Sequence, residues 1–317
     1  MTKYIIKRIL SGILTLFIIL TIVFFAMRVI GGNPVYHMLD ASDITQEEIE
    51  YWTHEYGFDR PVVVQYADYL WDILHGDWGT SFFNYVDVFE NLKNRWEPTI
   101  MIAICSLTLM VLIGIPSGII GATRRNSLLD YGLSTGNLLL QTIPAFWLGL
   151  MMVYILAFKL KLFPLQGYHS IEKYGLGEAI YYVTMPSLAL AASYIGGIAR
   201  QTRSSFLGVM KEDYVRTAKA KGLPRFKILY KHALKNSLSV ISSMLSSNIA
   251  GLLGGSVVVE KVFGIEGIGK LALDSLNRRD YAQQQACVVA CAAIYIVVNI
   301  LQDIFYKWVD PRIDYTK

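Results

Sequence analysis

Charge is scarce in this sequence. Asp, Glu, Lys and Arg make up 17% of its 317 residues, where a soluble domain carries nearer a quarter. A soluble globular class is thereby excluded. With 54% hydrophobic residues, the chain reads as a polytopic membrane protein. Cysteine is scarce too. The three, at 105, 287 and 291, all fall in apolar stretches, so neither a disulfide framework nor a thiolate metal site is indicated. They read as small buried apolar residues.

Catalytic signatures are also missing. His54-Glu55 is followed by Tyr-Gly-Phe, so there is no HExxH, and no GxSxG occurs. An intramembrane aspartyl protease needs two Asp within spans, and only Asp303 is a candidate. The five His, at 37, 54, 75, 169 and 232, lack metal-ligand spacing. Gly264-Ile265-Glu266-Gly267-Ile268-Gly269-Lys270 satisfies GxxxxGK. Leu271 stands where a phosphate-binding loop needs Ser or Thr, and a membrane helix is expected before it instead of a strand. It reads as a glycine turn. The chain is expected to be no enzyme and to hold no metal or cofactor of its own.

What it has in quantity is long apolar runs. A bilayer core of ~30 Å needs about 20 apolar residues in a helix. Six candidates occur, at 9–30, 99–123, 131–158, 180–199, 238–259 and 284–306. Pro144 breaks the third and Pro186 lies in the fourth. The first is too long for a signal peptide and no small-x-small cleavage site follows it, so it reads as an uncleaved anchor. The expected fold is therefore all-α, with six transmembrane helices.

Basic residues orient these spans. Segments 1–8, 124–130, 200–237 and 307–317 hold 18 of the 29 Lys and Arg. Alternate placement puts all four on one side, the cytoplasmic one, with both termini. Segment 31–98 holds 13 acids and three basic residues and is expected outside. The expected organisation is a tail and first span at 1–30 and an extracytoplasmic helical insert at 31–98. A transmembrane core at 99–306 and a tail at 307–317 follow.

In the insert, Thr45-Gln46-Glu47-Glu48 matches a capping box for a helix to about Tyr56, with Gly57 at its end. Pro61 can open a second helix. There Val62, Tyr66, Tyr69, Leu70, Ile73 and Leu74 form an apolar stripe. A cap packed on the membrane part and a docking surface for an external partner both fit.

The fifth span is the most polar. Ser239, Ser242, Ser243, Ser246, Ser247 and Asn248 precede Gly251, Gly254 and Gly255. Close helix packing is one reading. The other is the wall of a translocation path, with Ser243, Ser247, Asn248 and Gly251 lining it alongside Asn137 and Gln141 of the third span. Asn299, Gln302 and Asp303 are further polar residues inside spans; Asp303 is expected at an interface.

The basic loop at 200–237 carries ten Lys or Arg and two acids between Arg200 and Lys235. Residues 207–221 read as a helix stopped by Gly222, and Pro224 opens another running to about Asn236. A helix pair lying on anionic lipid is one reading. A helix offered to a groove in a cytoplasmic partner is the other.

Here Ala218 and Gly222 within RTAKAKG, followed by KHALKN, resemble the Glu-Ala-Ala loop of bacterial ABC importer permeases of the oligopeptide, dipeptide and nickel group. The resemblance covers nearly the whole chain. It includes Gly31-Gly32-Asn33-Pro34, Tyr56-Gly57-Phe58-Asp59-Arg60-Pro61 and Gly76-Asp77-Trp78-Gly79-Thr80-Ser81. It extends to Val258-Val259-Glu260-Lys261-Val262-Phe263, Gly267-Ile268-Gly269, Arg279-Asp280-Tyr281 and Asp310-Pro311-Arg312.

The resemblance implies the type I ABC importer permease fold in a prokaryotic cell membrane. It implies a second similar permease, two cytoplasmic ATPases that bind ATP and Mg, an extracytoplasmic substrate-binding protein and surrounding lipid. No nucleic-acid partner is implied. Short peptides are the expected cargo, with nickel or a metal chelate as the alternative; an independent channel or secondary transporter is the competing class. Arg216, Thr217, Ala218, Lys219, Ala220, Lys221, Gly222, Leu223 and Pro224 would form the ATPase-coupling element. Arg216 stands where the general motif has Glu, so an ionic contact of that Glu does not carry over.

Overall fold

The computed structural model describes residues 2–31, 33–38 and 45–309. Several residues singled out above lie outside the described residues. They are Gly32, Asp310-Pro311-Arg312 and the side chains of His37, Ser239, Ser242, Ser246, Gln302 and Asp303. Among the described residues the chain is helical, and its extended pairing is an isolated bridge between Thr80 and Asp87.

Helix α1 (Thr2–Gly31) carries the first apolar run. Thr45 opens α2 (Gln46–Glu55) with the reciprocal bonds of a capping box, to and from Glu48. Gly57 then takes φ +67°, which a side chain resists. Pro61 caps α3 (Val62–Leu74), and the Asp87 carboxylate caps α4 (Val88–Lys93). Helix α5 (Trp96–Leu109) passes through a π-helical turn, Met110–Gly114, into α6 (Ile115–Thr123). Ser127 caps α7 (Leu128–Thr142). Ile143 is extended, as a residue before proline prefers, and α8 (Ala145–Met152) starts after Pro144. Helix α9 (Leu176–Val209) encloses Pro186. Then come α10 (Asp213–Ala220), α11 (Lys235–Val262), α12 (Ile268–Asn277) and α13 (Tyr281–Val309).

Among the described residues, four helical stretches are long and apolar enough to cross a membrane: Ile6–Val29, Val88–Thr123, Leu176–Val209 and Tyr281–Leu301. A fifth crossing exists if α7 and the helix through Lys159 count as one span. They meet at 96°, so the expected third span is broken at Pro144, whose missing N–H and ring end the helix. The expected span at 238–259 falls on α11. Its 28 residues are long enough to cross; several of its side chains lie outside the described residues, and it is not counted among those four or five.

The chain divides into two compact units, Met1–Glu97 with Glu266–Ile296, and Pro98–Ile265 with Val297–Lys317. In the first, α1 and α3 share an aromatic seam. Phe24 is fully buried and its ring lies 5.1 Å from Tyr66 and 5.2 Å from Tyr69. The stripe expected on α3 is present at Tyr66, Tyr69, Leu70 and Ile73, which are half-buried, while Val62 and Leu74 are exposed. The most buried residue of α3 is a polar one, Gln65. It accepts from Arg28 Nε at 2.8 Å and donates to the Phe58 and Arg60 carbonyls at 3.2 and 2.8 Å. Every polar group of its amide is thus used, which offsets its burial. The segment expected as an insert, 31–98, lies in this unit as far as Glu97, together with 266–296.

The second unit is organised on α9. Sixteen residues of this helix are buried, from Ala179 to Phe206. Small residues make that possible. A side chain at Gly196 would lie 2.2 Å from the Asn137 carbonyl oxygen of α7, and one at Gly118 would lie 2.5 Å from the Ala199 carbonyl oxygen. Backbones that approach this closely gain dispersion contacts that lipid does not replace. Near the C-terminal end of α11, Glu260 is fully buried and Thr99 donates to its Oε1 at 2.7 Å.

Candidate coupling loop and pore-side helices

The basic loop departs from its expected shape in two places. A single helix over 207–221 was expected. Instead α9 ends at Val209, a turn follows in which Lys211 and Glu212 donate to the Gly208 and Val209 carbonyls, and α10 starts at Asp213. The reason is packing. The turn folds Val215 and Ala218 back onto Ile228, with Val209, Met210 and Leu223 around them; a straight helix would leave this face uncovered. Asp213 in the first turn also suits a helix start. Second, the helix after Pro224 does not stop near Asn236. It runs from Arg225 through a π-helical segment, Ile228–Leu234, into α11. No Gly or Pro interrupts the sequence between Arg225 and Ala250, so nothing ends it.

The turn between them is as expected. Gly222 takes φ +71°. Its N–H bonds to the Lys219 carbonyl at 3.0 Å, and the Leu223 N–H bonds to the Ala218 carbonyl at 3.3 Å. These two bonds are the Schellman termination, which needs a left-handed residue at this place. Pro224 then caps the following helix in an extended conformation.

The loop has two faces. Ala218 is buried, 5% exposed, beneath the turn. Arg216, Thr217, Lys219, Ala220, Lys221, Gly222 and Pro224 are exposed, and Leu223 is half-buried. Arg216 pairs with Asp213 at 3.4 Å with both side chains in the open, a contact that contributes little. The smallness of Ala218 thus serves the loop's own packing, whereas that of Ala220 leaves the outer face low. On the following helix the rings of Phe226 and Tyr230 meet at a tilt, 4.4 Å between centroids, and both are exposed.

The residues singled out as path lining lie on two helices that both pack on α9. Asn137 Nδ2 donates to Ser117 Oγ at 2.8 Å, and Gln141 Oε1 accepts from Arg200 at 2.9 Å. Asn137 lines a cleft of about 210 Å³ together with Ser117, Gly196, Arg200 and Arg203. On α11, Ser243 and Ser247 are exposed and Ser247 donates to the Ser243 carbonyl at 3.1 Å. Asn248 Nδ2 is buried without a hydrogen-bond partner among the described residues. Gly251 lies under Tyr194, whose hydroxyl would be 2.5 Å from an added Cβ, so this glycine is a packing residue.

Sequence reasoning passed over one pair. Arg203 on α9 holds Asp130 on α7 with both Nε and Nη2, at 2.8 Å each. Asp130 also accepts from the Asn126 N–H at 3.0 Å. The available signal was an acid next to the only basic turn between the second and third runs. The glycine turn after α11 behaves as expected. Gly264 takes φ +60°, a helix and not a strand precedes it, and Lys270 pairs with Glu266.

Comparison with known proteins decides the family. Residues 114–315 match the family described as binding-protein-dependent transport system inner membrane component. Residues 1–103 match its N-terminal membrane component. The chain belongs to this family. It is thus a permease component, in which ATP hydrolysis is not its own task. It is 36% identical to the oligopeptide transport system permease protein AppB of Bacillus subtilis, over 99% of this chain and all of that one. It is 34% identical to a probable peptide ABC transporter permease protein, y4tP, of Sinorhizobium fredii, with the same coverage. The dipeptide transport system permease protein DppB of Escherichia coli is 32% identical over the full length of both. Among solved structures, the inward-facing MetNI methionine ABC transporter matches with a TM-score of 0.57 at 16% identity. That match covers 69% of this chain and 96% of that one. The permease fold is thereby the type I importer fold, in a multi-pass inner-membrane component.

Proposed function

We propose that this permease forms half of the pore of an ATP-driven importer of short peptides, paired with a second similar permease. Two cytoplasmic ATPases drive it and an extracytoplasmic binding protein delivers the cargo. The cargo reading is carried by one observation. Full-length relatives at 32–36% identity are named as peptide, oligopeptide and dipeptide permeases. The hydroxyls and amides of α7 and α11 support it. Such a wall exchanges hydrogen bonds with a peptide backbone without holding it tightly. A nickel or chelate cargo is not favoured by these names.

Coupling falls to the loop 216–224. Its exposed face is cationic and low, and its inner face is packed on the permease itself. A push on α10 is therefore passed to Val209 and Met210 at the end of α9 and to Ile228 at the start of the next helix. The basic side of the membrane, with both termini, is the cytoplasmic side in this reading.

The test is uptake of labelled di- to pentapeptides by cells with and without this chain, beside uptake of nickel with histidine as chelator. Loss of peptide uptake on deletion is expected. Unchanged peptide uptake with lost nickel uptake would overturn the cargo and leave the importer standing. Purification without any ATPase would favour an independent channel.

A further inference from the structure

A cleft of about 530 Å³ opens on the second unit beside the coupling loop. Its walls are apolar: Ile119 and Ile120 of α6, Leu129 and Leu133 of α7, and Leu229. Ile120 and Leu129 are 42% and 49% exposed. Its polar lining is Thr123, Tyr230 and two arginines, Arg124 and Arg225; no carboxylate lines it. Arg225 reaches across to donate to the Thr123 carbonyl at 3.3 Å, which leaves most of its five donors for a ligand.

The place of this cleft in the membrane is set by the chain itself. The apolar stretch Val88–Thr123 ends at Thr123, so Arg124 and Arg225 sit where hydrocarbon gives way to headgroups. Five aliphatic walls below two guanidiniums match one kind of molecule, with a negative head and apolar tails. Inorganic phosphate would leave the aliphatic walls bare, and a soluble acidic peptide would have no reason to enter at this depth.

We propose that this cleft binds an anionic phospholipid, its phosphate between Arg124 and Arg225 and an acyl chain along Ile119, Ile120, Leu129 and Leu133. The proposal rests on the reading of this side as the one bearing the coupling element. Arg225 follows Pro224 directly, and Ile228 one turn on packs under Ala218. The lipid head thus ties the α6–α7 turn to the root of the coupling loop, and the occupancy of the cleft sets how firmly that root is held.

The assembled importer tests this. Native mass spectrometry of the detergent-purified complex should show a retained phosphatidylglycerol. Arg124→Gln/Arg225→Gln should weaken it by roughly thirty-fold, the worth of two juxtamembrane cations. Arg124→Lys/Arg225→Lys should restore most of the binding, which separates lost charge from lost fold. In nanodiscs, binding-protein-stimulated ATP hydrolysis should rise with phosphatidylglycerol content for the original chain and stay flat for the glutamine variant. Equal retention by both variants, or equal retention of phosphatidylcholine, would overturn the proposal. So would loss of ATPase subunits from the glutamine variant with lipid retention unchanged, since the cleft would then belong to the protein partner. Lipid retention is read without reference to cargo, so failure here and failure of the peptide reading remain distinct.

Discussion

Arg203 clasps Asp130 with two parallel hydrogen bonds of 2.8 Å, joining α9 to the first turn of α7. Asp130 is only 3% exposed, and the same carboxylate caps the Asn126 turn. Bidentate pairs of this kind carry geometry as well as energy. The contact fixes the turn that bears Arg124 and Arg125 against the helix that leads into the basic loop.

Removal of one partner should therefore cost more than removal of both. Asp130→Ala should lower stability by about 1–2 kcal/mol, seen as a lower melting temperature of the detergent-solubilised complex. Asp130→Ala/Arg203→Ala should recover part of the loss. Strict additivity in this cycle would mean that the pair does not act as a unit.

Gly222 has open space around it, with nothing within 4 Å of an added Cβ. Any cost of substitution there is backbone strain at φ +71°. Gly222→Asn should be tolerated best. Gly222→Ala should cost about 1 kcal/mol, and Gly222→Val more. Peptide uptake should fall in that order while membrane levels stay constant. Full uptake by the valine variant would remove the turn from the coupling element.

Ala218 and Ala220 are two residues apart and face opposite ways. Ala218→Trp should break the packing against Val215 and Ile228, so both thermal stability and uptake fall. Ala220→Trp enlarges an exposed position. It should leave the melting temperature unchanged and reduce copurification of the ATPase. If the Ala220 variant binds and couples normally, the outer face of α10 is not the docking face.

Topology is open to labelling. With the native Cys replaced, Glu50→Cys should react with an impermeant maleimide in intact cells and Lys227→Cys should not. Both positions are exposed, so accessibility depends on sidedness alone. Labelling of Lys227→Cys in sealed cells would reverse the orientation.

His54 and Asp59 lie 2.7 Å apart across the turn that ends α2. The hydrogen bond that the His54 ring N–H donates to the Asp59 carboxylate raises the imidazole above its ordinary value of 6.5, and the same bond holds the Asp59 carboxyl below 3.8. The raised His stabilises fully below its unfolded value and loses that as pH rises through the folded one. The lowered Asp stabilises above its unfolded value and loses that as pH falls through the folded one. The tether is thus strongest in mild acid. Hydrogen-exchange protection of the 54–60 turn, corrected for intrinsic rates, should fall as pH rises above the ordinary imidazole value of 6.5. A His54→Gln variant should show no such fall. Both side chains are solvent-exposed, so added salt should shrink the effect.

Much of this protein was legible in one dimension. Long apolar runs must form helices in lipid, because no water is there to satisfy backbone groups. The capping box at Thr45, the stop at Gly57 and the Gly222-Leu223-Pro224 turn follow from local stereochemistry and needed no neighbour. Local patterns failed where a helix could bend or continue. The break at Met210–Glu212 serves a contact with Ile228, many residues on. The continuation from Arg225 into α11 reflects the absence of any stop, while charge had suggested a separate surface helix.

The sequence by itself determined the membrane class, the asymmetry of charge and the glycine turn of the basic loop, since each depends on composition or on a few adjacent residues. Only the tertiary structure decided that Gln65, a polar residue in an apolar stripe, is the buried one, that Asp130 belongs to Arg203, and that Ala218 faces inward while Ala220 faces out. Those outcomes depend on which surfaces meet across long separations in the chain. Burial and pairing energies arise between elements, and no local pattern records the partner.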